Sequence, residues 1–215
     1  MLDPAPDCAL CPRLVAYRDE NRAAHPDWHN APVPTFGDLG RAKLLVVGLA
    51  PGVAGANRTG RPFTGDYAGE LLYNTLIKHG FARGTFDARP DDGLMLTDAA
   101  VTNAVRCVPP QNKPVGAEIN ACRPFLINTM AAMPNLVAIL ALGRIAHDTV
   151  LRTLGVRLAA HPFGHGALHP DLTPMVADSY HPSRYNVNTG VLTAAMFDDV
   201  IAALRKTLGS PPAPH

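Results

Sequence analysis

Four short, almost uninterrupted apolar runs divide the chain: Lys43–Gly48 (KLLVVG), Ala99–Val105, Leu136–Leu142 (LVAILAL) and Met175–Tyr180 (MVADSY). Runs of this length without strict alternation read as strands buried on both faces. Between them the period lengthens. Tyr67–His79 gathers Leu71, Leu72 and Leu76 on one side and stops at Gly80, and Thr193–Leu208 brings Phe197, Ile201, Leu204 and Leu208 together. Further helices are predicted over Glu118–Met133, ending before Pro134, and from Arg144 to Leu154, where Gly155 is the stop. Strands alternating with helices predict an α/β fold, a three-layer α/β/α sandwich around a central four-stranded, mainly parallel sheet. Pro26–Pro34 reads as an irregular crossing and Ser210–His215 (SPPAPH) as a disordered tail, which leaves residues 1–209 as one domain without an internal repeat.

Composition sharpens this only modestly. A chain of 215 residues, 47% of them hydrophobic, can bury a sizeable core, and no segment approaches the unbroken apolar length of a membrane span. The opening MLDPAPDCALCP lacks the charged start and apolar stretch of a secretory signal, so a cytoplasmic setting is expected. Nineteen Lys and Arg against eighteen Asp and Glu exclude a globally basic, charge-driven binder. Arg58, Arg61, Arg106, Lys113 and Arg184 nevertheless fall in or beside the segments that carry chemistry, which predicts a local positive rim.

Those segments are GLAPGVAGANRTGRPFTGD (Gly48–Asp66), VTNAVRC (Val101–Cys107) and HPSRYN (His181–Asn186), each placed after an apolar run. An open α/β sheet collects the ends of its strands at one crevice, so the three predict one pocket. The first segment lacks both the dinucleotide fingerprint and the Lys-Ser/Thr of a P-loop, and its glycines instead allow close backbone approach to a ligand. Asp66 reads either as the N-cap of the following helix or as a working carboxylate, and Phe63 either as a core aromatic or as a stacking surface. Asn103 either caps a turn or presents its donor-plus-acceptor amide to a ligand; His181 is either an ordinary loop histidine or a donor to developing negative charge.

Cys8 and Cys11 form C-x-x-C, and Cys107 and Cys122 complete a set of four thiols. Zinc and a [4Fe–4S] cluster both accept four thiolates, while a Pro-bounded terminal C-x-x-C disfavours a redox pair. His161, His165 and His169 recur at every fourth residue, but Pro162, Gly164, Gly166 and Pro170 forbid a helix, so a loop or hairpin is expected rather than a metal site. His147 belongs to a covering helix.

Taken together the motifs resemble the uracil-DNA glycosylases, specifically family 5, the broad-specificity, iron–sulfur-containing UDGb type, and the resemblance covers most of the chain. It implies a uracil-DNA glycosylase-like fold and a structural [4Fe–4S] cluster on Cys8, Cys11, Cys107 and Cys122, with zinc as the less favoured occupant. The R-T-G-R-P-F-T-G-D run assigns stacking on the extruded base to Phe63 and assistance to the water to Asp66. The TNxVRC-type motif makes Asn103 the base reader, matching uracil O4 and N3–H, and the HPS motif points His181 at the leaving-group oxygen. Leu49 stands where the uracil-restricted family 4 branch carries an acid, and the small Ala50 and Gly52 exclude little, so uracil, hypoxanthine and other deaminated bases are expected substrates. Arg58, Lys113 and Ser183 are expected on DNA, with Arg184 or Tyr185 filling the gap left by the flipped nucleotide. No lysine lies within the motif segments, so no lyase step follows, and no insertion near Arg61–Tyr67 matches the cross-linking branch. The implied enzyme is a monomeric, monofunctional glycosylase acting on double- and single-stranded DNA, nucleoid-associated when at work. Its rivals are a family 4 type enzyme, a nucleoside hydrolase with structural zinc and a non-catalytic damaged-base binder.

Overall fold

A computed structural model describes residues 1–209; the expected tail at 210–215 lies outside the described residues. In chain order the elements are α1 (Pro12–Ala24), β1 (Leu44–Gly48), α2 (Ala56–Thr59), α3 (Tyr67–Lys78), β2 (Ala82–Arg83), β3 (Met95–Leu96), β4 (Ala99–Asn103), α4 (Gly116–Ala131), β5 (Ala138–Leu142), α5 (Arg144–Thr153), β6 (Leu168–His169), β7 (Met175–Ser179), α6 (Arg184–Asn188) and α7 (Ala194–Leu208). The central sheet runs β4-β1-β5-β7-β6, and its first four strands are parallel. Every residue of those four strands is buried, which is why their sequences lack alternation. Leu44, Val46, Val101 and Leu140 face Leu72 and Leu76 of α3 and Phe197, Ile201 and Leu204 of α7. On the other face Leu45, Val47, Ile139 and Val176 meet Leu126 of α4 and Val150 and Leu151 of α5. These are the three layers expected.

The sheet differs from expectation by a fifth strand. β6 pairs antiparallel with β7, Leu168 opposite Ala177 and His169 opposite Val176. A two-residue strand has no period to read. Its hairpin serves a buried polar group: Asp178 accepts from His147 at 2.7 Å and from His169 at 3.1 Å, and the second ring nitrogen of His147 lies 2.9 Å from the His161 carbonyl oxygen. The fourfold histidine spacing therefore falls on a loop and hairpin, as expected, and His147 lies on the covering helix α5, as expected, buried against Asp178.

α1 escapes the apolar pattern because Leu14 is its only hydrophobic residue in the buried set. Polar ties hold it instead: Arg18 donates to the Cys8 carbonyl (3.0 Å) and Arg22 to the Asn30 carbonyl (3.0 Å). The irregular crossing after it is pinned from Asn30 N to the Asn57 carbonyl and from Val33 N to the Arg106 carbonyl. Among the described residues no helix is long and apolar enough to cross a membrane.

Two arginines expected at a positive rim are structural. Arg106 is fully buried, donating to Thr35 and Thr129 and lying 3.1 Å from Asp3. Arg61 forms a buried fork with both oxygens of Asp92 (2.8 and 2.6 Å) and packs against the rings of Phe36, Tyr73 and Phe86. A buried guanidinium needs hydrogen-bond acceptors inside the protein, so a rim position is forfeited. Arg61 and the amides of Asp87 and Leu94 hold the Asp92 carboxyl well below its ordinary value of 3.8. A carboxyl depressed in the folded state contributes stability that is complete above that value and is lost as pH falls below it. Arg61→Met should therefore cost about 3–5 kcal/mol in urea unfolding at pH 7, since Asp92 keeps the amides of Asp87 and Leu94 but loses the guanidinium that balances its charge. The deficit should hold down to the ordinary carboxylate range and shrink only in stronger acid.

Candidate active site

The site begins where β1 and β4 end side by side, Gly48 opposite Asn103. A methyl group on Gly48 would sit 2.4 Å from the Phe63 ring and 2.5 Å from Asn103 Oδ1, so this glycine makes room for both side chains. Phe63 is held at φ 52°, a backbone region that bulky residues rarely adopt. The flanking residues fix it there: Tyr73 donates to the Pro62 carbonyl (2.6 Å), and Arg61 Nε donates to Thr64 Oγ1 (2.7 Å). Gly69 supports the loop from below, because a Cβ there would lie 1.8 Å from the Phe63 carbonyl oxygen. The Phe63 ring stacks against His181, with centroids 5.8 Å apart and planes at 28°.

The N-cap reading of Asp66 holds, and its second oxygen is left to face the cleft. Asp66 is the N-cap of α3, Oδ1 accepting from Gly69 N at 3.2 Å. Oδ2 points the other way, toward the glycine loop, where a Cβ on Gly55 would be 2.6 Å from it and one on Gly52 3.4 Å. Burial raises the Asp66 carboxyl above its ordinary range, and the amides of Gly69 and Ala68 partly oppose this. Burial pushes His181 down to about 4, so its imidazole is neutral at pH 7. Asn103 is buried at the end of β4 and lines the cleft.

A cleft of about 550 Å³ opens onto these groups, lined by Leu49, Ala50, Gly52, Phe63, Asp66, Asn103 and His181. Ser183 and Arg184 also line it; Ser183 caps α6 and Arg184 lies over the Tyr67 ring at 5.6 Å. Three residues proposed from sequence stand outside the lining. Arg58 donates to the Ala54 carbonyl and faces a neighbouring open groove with Trp28 and His29, Lys113 is exposed, and Tyr185, 74% exposed, projects from α6. Tyr67 and Asn112 line the cleft without having been singled out in sequence. Tyr67 follows the capping Asp66, and Asn112 lies in the Pro-bounded run before Lys113, where neither periodicity nor charge marks it.

Behind the cleft, Cys8, Cys11, Cys107 and Cys122 line one small apolar cavity with Leu14, Val105 and Phe125. Burial, with the neighbouring thiols adding to it, pushes Cys107 up to about 12; burial pushes Cys122 up to about 11 despite the Arg106 amide 3.3 Å from its sulfur. Buried thiols of this kind ionise only when a cation takes the proton's place, so the donor set fits a thiolate-ligated metal group.

Residues 34–205 match the model of the uracil DNA glycosylase superfamily. The chain belongs to this superfamily. Among proteins similar to it, a type-5 uracil-DNA glycosylase of Thermus thermophilus is 44% identical, with 94% of each chain covered. A type-5 uracil-DNA glycosylase of Pyrobaculum aerophilum is 40% identical over 91% of this chain and 86% of its own. Similarity to the type-4 uracil-DNA glycosylase of the same organism spans only 58% of this chain and 56% of the relative, at 35% identity. In this superfamily member all three motif segments meet at one cleft, and Cys8 and Cys11 lie before the matched region.

A histidine whose folded value lies below its ordinary 6.5 makes the unfolded chain the better proton acceptor, so stability falls as pH drops from about 6.5 toward 4. The His181 ring should accordingly titrate near 4 by NMR, whereas a midpoint near 6.5 would contradict its burial.

Proposed function

We propose that this protein flips uracil and other deaminated bases, hypoxanthine among them, out of double- or single-stranded DNA and hydrolyses the N-glycosidic bond, leaving an abasic site. The observation that carries this reading is the convergence of the Asn103 amide, Asp66 Oδ2 and the His181 imidazole on one cleft behind the Phe63 ring. In a duplex the bond is shielded by stacking, so the nucleotide must leave the helix first. Phe63 then stacks on the base, and Asn103 offers N–H and C=O to its polar edge. A water attacks C1′ as the bond to the base nitrogen breaks; Asp66 takes the water's proton and favours the cationic sugar, while the electron pair leaves with the base. His181, neutral and therefore able to donate one hydrogen bond without surrendering its proton, stabilises the charge gathering on the base oxygen.

Breadth of substrate is supported by Leu49, which offers no carboxylate, and by Ala50 and Gly52, which offer no bulky side chain to reject a larger base. The short overlap with the type-4 relative gives the uracil-restricted alternative less support.

The four cysteines would hold a [4Fe–4S] cluster, whose contribution is a tie between the N-terminal segment and the end of β4, four residues beyond Asn103.

Uracil- and hypoxanthine-bearing oligonucleotides treated with enzyme and then alkali test the activity, because only hydrolysis leaves a strand that breaks. Asn103→Ala, His181→Ala and Asp66→Asn should each lose about 100- to 1,000-fold in kcat. Asp66→Asn also separates chemistry from capping, since asparagine caps a helix about as well as aspartate and stability should change by less than about 1 kcal/mol. Near-full activity in all three variants would overturn the assignment, uracil-only cleavage would refute the breadth, and binding without cleavage would leave a damage sensor. Freshly purified protein should be brown, with iron and sulfide in equal amounts, and Cys107→Ala should lose both together with thermal stability; a colourless zinc protein would refute the cluster.

A further inference from the structure

A guanidinium buried beside the four cysteines has a hydrogen bond left to give. Arg18 is only 4% exposed, whereas Arg13 and Arg22 of the same helix reach solvent. It stands one turn beyond Leu14 and two turns beyond Cys11, on the face of α1 that carries both into the cysteine cavity. Its Nη1 donates to the Cys8 carbonyl at 3.0 Å, and its charge is near enough to Cys107 to oppose the rise of that thiol. Its Nε is buried and has no hydrogen-bond partner among the described residues. Among these residues the only carboxylate within 4.0 Å of the guanidinium belongs to Asp19, which is exposed. The other cations nearby are engaged: Arg13 grips Glu118 through two hydrogen bonds of 2.7 Å, Arg106 lies 3.1 Å from Asp3, and Arg123 donates to Asn120. A bare donor on a buried charged group is costly, so its acceptor is expected in what fills the cavity.

We propose that Arg18 is the buried countercharge of the iron–sulfur cluster, its Nε–H donating to a sulfur of that group while Nη1 holds the Cys8 carbonyl, and that it thereby raises the cluster's reduction potential. The proposal rests on the reading that the four cysteines hold a [4Fe–4S] cluster. Four thiolates carry more negative charge than the iron–sulfur core between them carries positive, so the loaded cavity is a buried anion that needs a cation beside it. A positive charge and an N–H donor at the sulfurs both favour the state with one more electron, which makes the cluster harder to oxidise. A group that ties the N-terminal segment to β4 serves only while it stays assembled, and Arg18 would protect it.

The test poises the full-length, iron-loaded protein at a series of potentials and follows the cluster by EPR and absorbance. Arg18→Met keeps a side chain of similar length and removes both the charge and the donor. Its midpoint should shift to a more negative potential, and a chelator should strip its iron about 10-fold faster. Arg18→Lys keeps the charge, but one ammonium lacks the fork that serves the Cys8 carbonyl and a sulfur together, so its midpoint should fall between the two. Arg22→Met removes a more exposed tie of the same helix and should leave the midpoint at its wild-type value. If Arg18→Met takes up no iron, Arg18→Lys decides, and its midpoint should lie below that of the wild type. A wild-type midpoint in either Arg18 variant, or an equal shift in Arg22→Met, would overturn the proposal, because an arginine that merely holds the helix alters stability and not the potential. Wild-type protein that is colourless or holds zinc would instead refute the reading on which it rests.

Discussion

Above Gly48, at the end of β1, the space that any other residue's side chain would fill is occupied by the Phe63 ring and the Asn103 amide. The rest of the site depends on that shared volume. Strand register brings Asn103 beside Gly48, and the buried parallel sheet leaves that register no freedom, because every residue of β1 and β4 is buried. Phe63 arrives from fifteen residues further along the chain, in a left-handed conformation, and closes the same volume from the other side. His181 then stacks on Phe63 from the end of β7, so an aromatic ring, an amide and an imidazole are mutually placed by a missing methyl group.

A loop of this kind has few apolar side chains with which to hold itself, and two polar anchors stand in for them. At Arg61 a buried guanidinium spreads its fork over Asp92, whose oxygens also accept from the amides of Asp87 and Leu94. At Asp66 one carboxylate oxygen caps α3 while the other faces the glycine turn. Desolvation acts on the two titratable groups of the cleft in opposite directions, raising Asp66 and lowering His181, so that each is biased toward its neutral form. That bias leaves Asp66 a stronger base when ionised and His181 a neutral imidazole at pH 7.

The N-terminal segment is joined to this cleft by polar ties rather than by a continuous core. Arg18 and Arg22 hold α1 to the chain before and after it, the four cysteines converge beneath Val105, and Arg13 reaches the loop that carries Asn112. Amphipathic periodicity marks helices that bury an apolar stripe, and α1 buries Arg18 and Asn21 beside Leu14, so it left no such mark.

By itself the amino-acid order determined the four parallel strands, the four long helices that cover them and the three motif segments, because burial on both faces, helical periodicity and glycine or proline punctuation are local properties. It also left two readings of Asp66 open; the structure shows the helix cap and places the second carboxylate oxygen at the cleft. Only the tertiary structure decided which charges face the cleft: Arg61 and Arg106 turned inward to buried partners, while Asn112 and Tyr67 line the opening. It likewise decided that His147 and His169 would meet on Asp178 and that a two-residue strand would extend the sheet. A side chain's chemistry is written at its own position, but its direction and its partner depend on which distant segments fold against it.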